Sequence, residues 1–316
     1  MQTVNSISGG KTSSYLAMHY PANYDVFSVV CIDDPTCSPK DLGLLKYVND
    51  KLEKYHHEFG EFIATAEDDD TLIAMRDLEQ LLGREIIYVR GKSFDDLLTS
   101  KRAFGGEPTR LPSWARRYCT LEMKLLPIFY WWYYNISTGD PKKDKVQMRI
   151  GFRVDEYDRM EKFFNKAVKE AGFKIPIYCK TYGQKQMHHQ VFDWRFCHFP
   201  LVKHQIQNHH VIDYWNNNGL LGNTNLFEQS RQIKFPQISN CVGCFHKKEN
   251  VLATECIINP EKMRWFASKE KLGKGTWLDN KMTYSEIMDR KYELAMETQY
   301  EIKAGVYSCD SEGCGD

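Results

Sequence analysis

The sequence predicts an α/β protein: a doubly wound parallel sheet followed by a smaller, mostly helical region that carries cysteines. Three observations predict it. Short apolar runs alternate with stretches of helical spacing through the first half, the rhythm of parallel strands joined by crossover helices. The run Val26 to Ile32 (VFSVVCI) reads as a strand buried on both faces. A glycine pair, Gly9 and Gly10, stands between the first apolar run and the first helical stretch.

In chain order, Thr3 to Ile7 reads as a short strand and Thr12 to Tyr20 as a helix entered from the glycine pair. Pro39 to Phe59 reads as a helix, with Leu42, Leu45, Val48 and Leu52 on one face. Glu61 to Thr65 and Glu85 to Val89 are expected as strands with a helix over Thr71 to Leu82 between them, and Val146 to Ile150 closes the series. Leu125 to Tyr134 (LLPIFYWWYY) is apolar but far shorter than the roughly 20 residues of a bilayer span, so it reads as a buried helix. Ile175 to Asn225, rich in His, Tyr, Trp and Asn, is expected to form packed helices and loops. A boundary near residue 225 divides a sheet domain, 1–225, from a C-terminal region, 226–316, which holds five of the ten cysteines.

Composition narrows the function classes. A chain of 316 residues with 42% hydrophobic and 27% charged residues buries a substantial core and is not a disordered protein. Its 42 basic and 42 acidic residues cancel, so a grip on long nucleic acid is not indicated by net charge. The start, MQTVNSISGG, has no basic or apolar leader pattern, so a cytoplasmic location without membrane contact is expected. In a reducing compartment, clustered cysteines point to metal or redox chemistry rather than to a disulfide framework.

The first motif is Ser6-Ile7-Ser8-Gly9-Gly10-Lys11-Thr12-Ser13. Two glycines admit a ligand close to the backbone, and the unsatisfied N–H groups of the helix that follows attract an anion. Ser8, Thr12 and Ser13 add hydroxyls and Lys11 a charge. A Walker A loop would need a glycine at position 5, which is Asn5. The string instead resembles the SGGxxS PP-loop of the ATP-pyrophosphatase superfamily, in the SGGKTS form of the phosphoadenosine phosphosulfate (PAPS) reductase family.

Two further motifs agree with it. Arg116-Arg117-Tyr118-Cys119 through Lys124 and Pro127 is similar to that family's R-x-C-x-x-x-x-K-x-x-P segment. Gly151-Phe152-Arg153 with Glu156 and Arg159 resembles its G-x-R-x-x-E pattern, at a strand end where an arginine forks onto phosphate or sulfate oxygens. A plain surface pair is the competing reading of Glu156 with Arg159. The resemblance covers about residues 3 to 160 and implies an adenine nucleotide alpha hydrolase-like fold. It implies nucleotide contacts from Ser6, Ser8, Gly9, Gly10, Lys11, Thr12, Ser13, Arg117, Lys124, Gly151, Arg153, Glu156 and Arg159. It also places Asp33 and Asp34 beside the adenosine, where turn capping ahead of Pro35 is the competing reading.

Cys241-Val242-Gly243-Cys244 is a C-x-x-C turn, which aims two sulfurs at one metal or cluster. By the same resemblance Cys119 is the third ligand of an iron–sulfur cluster, [4Fe–4S] in the family, with zinc as the alternative. The fourth is open among Cys256, Cys309 and Cys314, with Cys309 carried forward. Family members with such a cluster have two adjacent cysteines where this chain has Tyr118-Cys119. The tail Cys309-Asp310-Ser311-Glu312-Gly313-Cys314 partly resembles the family's E-C-G segment, which makes Cys314 the candidate nucleophile beside Lys11 and Arg153 as electrostatic stabilisers.

Two activities fit: reduction of PAPS or its relative APS with a thioredoxin-like electron donor, or ATP pyrophosphatase chemistry, with magnesium, that adenylates a substrate for sulfur transfer to nucleic acid. A non-catalytic, zinc-stapled nucleotide- or nucleic-acid-binding module is the reading from another class. Of the remaining cysteines and the tryptophans, Cys31 and Trp215 read as core residues, the tryptophan with base stacking as its second reading.

Overall fold

The computed structural model of the chain describes residues 1–99, 111–112, 118–138, 144–169, 174–180, 187–218, 220–221, 231–238, 241–271, 275–278 and 281–296. The first half runs β1 (Thr3–Ile7), α1 (Lys11–His19), β2 (Tyr24–Ser28), β3 (Cys31–Ile32), α2 (Leu42–His56), β4 (Ala64–Thr65), α3 (Asp69–Leu82), β5 (Ile86–Val89) and α4 (Phe94–Thr99). Next come α5 (Tyr118–Thr120), a π-helical turn (Leu121–Leu125), α6 (Leu126–Asn135), β6 (Val146–Arg149) and α7 (Tyr157–Lys169). A hairpin, β7 (Lys174–Lys180) and β8 (Met187–Asp193), precedes β9 (Arg195–His198), α8 (Pro200–Lys203), α9 (Asn208–Asn218), β10 (Leu220–Leu221) and β11 (Arg231–Gln232). The chain then continues through α10 (Glu249–Ile258), α11 (Pro260–Glu270), α12 (Tyr284–Asp289) and α13 (Lys291–Leu294).

Five strands form one sheet in the order β5-β2-β1-β6-β9, and every neighbouring pair is parallel. The fold is therefore α/β, as the alternating pattern requires. The chain winds outward from β1 through β2 to β5, then returns to β6 on the other side of β1. That reversal leaves the carboxyl ends of β1 and β6 side by side, the crevice where ligands of open α/β sheets bind.

Period-2 alternation sends neighbouring side chains to opposite faces. Ile86 and Tyr88 join Phe27 in a core under α1, α2 and α3, built with Leu16, Leu44, Val48, Leu72 and Met75. Ile87 and Val89 join Val4, Val26, Val146 and Met148 on the other face, covered by Ile128, Phe129, Trp131 and Trp132 of α6. The apolar stretch before residue 134 is thus the buried helix its length implies. A third core joins Val30, Ile32, Ala64 and Ala66 to Val242, Phe245, Leu252, Trp265, Phe266, Trp277 and Tyr284. Residues on both sides of position 225 share that core.

The structure departs from the sequence reading in several places. Ile175 to Asn225, expected as helices and loops, begins with the β7–β8 hairpin and the sheet strand β9, and Leu42, expected on the buried face of α2, is exposed while Leu44 is buried. The Val26–Ile32 run is cut in two: β2 ends at Ser28, Val29 N still donates to Val89 O at 2.9 Å, and Cys31–Ile32 leaves the sheet to pair antiparallel with Ala64–Thr65. The run stays buried throughout, which is why hydrophobicity alone does not show the break. Glu61 to Thr65 supplies only that two-residue partner. The fifth strand, Arg195-Phe196-Cys197-His198, has no β-branched residue and is an edge strand with Phe196 half exposed, so it carries little strand signal. Among the described residues no helix is long and apolar enough to cross a membrane.

Candidate functional site

The loop between β1 and α1 is shaped by its glycines. Gly9 has φ +84°, the left-handed region that favours glycine, and a Cβ there would stand 2.2 Å from Thr71 Cγ2 on α3. Gly10 caps α1 in an extended conformation without a side-chain cap, so the first turn of the helix opens on the loop with its amides. Ser13 closes the turn from within: its Oγ accepts from Ser8 N and donates to Gly10 O, both at 3.1 Å. Ser8 Oγ lies 3.1 Å from the same hydroxyl. Trp215 Nε1, on α9, donates to Lys11 O at 2.8 Å, which fixes the helix start while the Lys11 side chain is exposed. Ser6 lies within β1 opposite Val26, below the loop.

The end of β6 meets this loop. Gly151 faces the first turn of α1 at contact distance, its Cβ position 3.4 Å from Ser13 Cα and 3.6 Å from Thr12 Cγ2. Arg153 Nη1 donates to Thr12 Oγ1 at 2.7 Å, across the strand reversal. The same guanidinium pairs with Asp155 at 3.2 Å and Glu156 at 3.3 Å, and Glu156 also holds Arg159 at 2.8 Å. Arg159 lies over the Phe152 ring, 5.0 Å from its centre. The Glu156–Arg159 pair exists, and Arg153, with Asp155, extends it into a four-residue network reaching the glycine loop. Segments 141 residues apart thereby share one rim: a glycine turn, a helix start and two arginines held in place by carboxylates.

Other expected residues lie elsewhere. Asp34 Oδ1 accepts from Thr36 N at 2.9 Å and so caps the short 3-10 turn Pro35–Cys37. Asp33 accepts from Ser93 Oγ, and its amide donates to Asp95 Oδ2 at 2.8 Å. Their hydrogen bonds run to these neighbours rather than to the glycine loop. Lys124 Nζ is 3.7 Å from Glu67 Oε1, in the segment between β4 and α3. Arg117, Cys309 and Cys314 lie outside the described residues.

The cysteine turn docks beside that same segment. Cys241 bridges Glu67 in antiparallel fashion, and Val242 N donates to Ala66 O at 3.0 Å. Tyr284 Oη donates to Gly243 O at 3.0 Å, and Gly243 is pressed so closely against the Phe266 ring that a Cβ would come within 2.4 Å of it. Cys119, Cys241 and Cys244 are each half-buried, and Cys119 packs at the border of the third core. Among the described residues no three His, Cys, Asp or Glu side chains gather as a metal-binding group. Cys256 is buried inside that core on α10, where burial pushes its thiol up to about 12, which disfavours the thiolate.

Glu67 is fully buried and its carboxyl is pushed above its ordinary value of 4.5, chiefly by burial, with the ammonium groups of Lys124 and Lys262 opposing. For an acid whose folded value is raised, stability is fullest below the unfolded value and is lost as pH rises through the folded one. Glu67→Gln, neutral at every pH, is therefore expected to gain on the native protein in melting temperature as pH rises from about 4 to 8. Parallel melting curves across that range would contradict the charge-burial account.

Thr71, Trp215 and Lys262 belong to the site's surroundings although no motif marks them. Only the glycine pair hints at a close neighbour, without saying which residue it is. Comparisons with protein-family models, with curated proteins and with solved structures find no match to this chain.

Proposed function

We propose that the protein is an enzyme of PAPS-reductase type, whose PP-loop, Ser8 to Ser13, holds the charged end of an adenine nucleotide. One observation carries the reading: Arg153 Nη1 donates to Thr12 Oγ1 at 2.7 Å, joining the loops that follow β1 and β6 where the strand order reverses. A phosphate or sulfate there meets the amides of α1's first turn, the Lys11 ammonium and the forked guanidinium of Arg153, with Arg159 behind it through Glu156. The α1 amides and the Arg153 guanidinium are held in place before the ligand arrives, so they stabilise charge that develops on the leaving group without reorganising.

In the reductase version the Cys314 thiolate attacks the sulfur of the sulfonucleotide, the sulfur–oxygen bond to the nucleotide breaks, and a thioredoxin-like dithiol then releases sulfite. In the alternative version ATP is cleaved between its α and β phosphates, with the adenylate passed to an acceptor. Purified protein incubated with ATP, and separately with PAPS and thioredoxin, distinguishes them. Sulfite release supports the first, and pyrophosphate without sulfite supports the second. Nucleotide binding without turnover supports the non-catalytic module, and failure to bind ATP, APS or PAPS overturns the reading.

The cysteine part of the proposal is tested separately. Cys119, Cys241 and Cys244, with a fourth thiol from Cys309 or Cys314, would hold an iron–sulfur cluster or zinc; such a group would supply redox or structural chemistry. Iron and acid-labile sulfide in protein purified without oxygen are the expected result. Zinc instead favours the structural alternative, and protein free of both iron and zinc removes this part.

A further inference from the structure

Among its contacts with the sheet domain, the C-terminal region holds residues 66–69, which lead into the helix that walls the glycine loop. We propose that Lys262 is a positioning residue for the nucleotide loop, resting on the reading that Ser8 to Ser13 binds the nucleotide. Its Nζ is buried and donates to Asp69 Oδ1 at 2.6 Å and to Glu67 O. Asp69 is the first residue of α3, and two residues later Thr71 sets its methyl group against Gly9. A lysine on α11 therefore sets the height and rotation of the helix start on which the loop rests.

A second line of bonds reaches the same place. Asn259 Nδ2 donates to Oδ2 of Asp68, the N-cap of α3, at 3.1 Å and to Glu255 Oε2 at 3.0 Å. Glu255 in turn pairs with Lys247, whose Nζ also donates to Val242 O at 3.0 Å, inside the cysteine turn. Lys247 and Glu255 are themselves buried. Buried charged groups paired at both ends hold one geometry, because moving either partner leaves an uncompensated charge in the interior. This path runs from the cysteine turn to the α3 cap at Asp68, next to the Asp69 carboxylate that Lys262 holds.

The test titrates ATP, and PAPS in a parallel series, into the native protein and into Lys262→Met, Lys262→Arg and Arg84→Met, and records a melting curve for each. Arg84 pairs with buried Asp25 at 2.6 Å within the sheet, where Asp25 lies in β2 opposite Ile86, so its loss controls for general destabilisation. Lys262→Met is expected to bind the nucleotide about tenfold more weakly. Lys262→Arg should recover most of that loss, and Arg84→Met should melt earlier but bind as the native protein does. If Lys262→Met does not fold, Asp69→Asn, which neutralises the acceptor, is expected to show the same weakening. Native affinity in the folded Lys262 or Asp69 variant overturns the inference and leaves the proposed function standing. A native protein that binds neither nucleotide overturns both.

Discussion

Arg153→Ala is expected to weaken binding of ATP or PAPS by about thirtyfold to a hundredfold, with only a small change in melting temperature. The size follows from the kind of contact: a hydrogen bond to a charged group contributes about 1.5–3 kcal/mol net, and the loss expected at Arg153 is one such contribution. Stability is spared because Glu156 keeps Arg159 at 2.8 Å and Asp155 is partly exposed, so neither carboxylate is left buried and alone. Lysine at 153 preserves the charge but not the fork, and should recover less than half of the lost binding energy. Calorimetric titration decides it. Affinity unchanged in the alanine variant would remove Arg153 from the site and the main support of the proposed function with it.

Gly9→Ala is expected to lower both stability and nucleotide affinity, the first by about 3 kcal/mol. Two separate costs combine. The backbone at φ +84° disfavours any residue with a Cβ by roughly 1–2 kcal/mol. The new methyl group would stand 2.2 Å from Thr71 Cγ2, and relieving such overpacking costs about 1–3 kcal/mol more. Thr71→Ser removes the clashing methyl and nothing else of that kind. The double variant should therefore regain the steric part and keep the backbone part, a coupling readable from a double-mutant cycle by thermal melting. If the two substitutions simply add, Thr71 is not the wall of the loop.

Much of the fold was legible from residue patterns because strands and helices of this sheet bury faces with fixed periods. Val48 and Leu52 mark the buried stripe of α2 as their spacing implies, and Ile86 to Val89 alternate between two cores. The end of β2 was not legible, since Val29 and Val30 remain buried after leaving the ladder and look the same in sequence. The strand at Arg195–His198 was not legible either: its place at the sheet edge asks little of its side chains. In the candidate site, Gly9, Gly10 and Arg153 could be chosen from local chemistry, because a glycine turn before a helix and an arginine after a strand each have a physical use alone.

Partners distant in sequence had no such signature. Lys124 faces Glu67, Asp34 caps its own turn, and Lys262 meets Asp69 across 193 residues of chain. A single charged residue is compatible with many partners until the fold selects one. The sequence by itself determined the α/β architecture and the glycine turn before the first helix, since period and backbone freedom are local properties. The tertiary structure alone decided that β1 and β6 lie side by side, that Thr71 fills the space beside Gly9, and that the cysteine turn is tied to the start of α3. Those facts depend on strand order and on close packing between remote segments, and neither is encoded in any one stretch of residues.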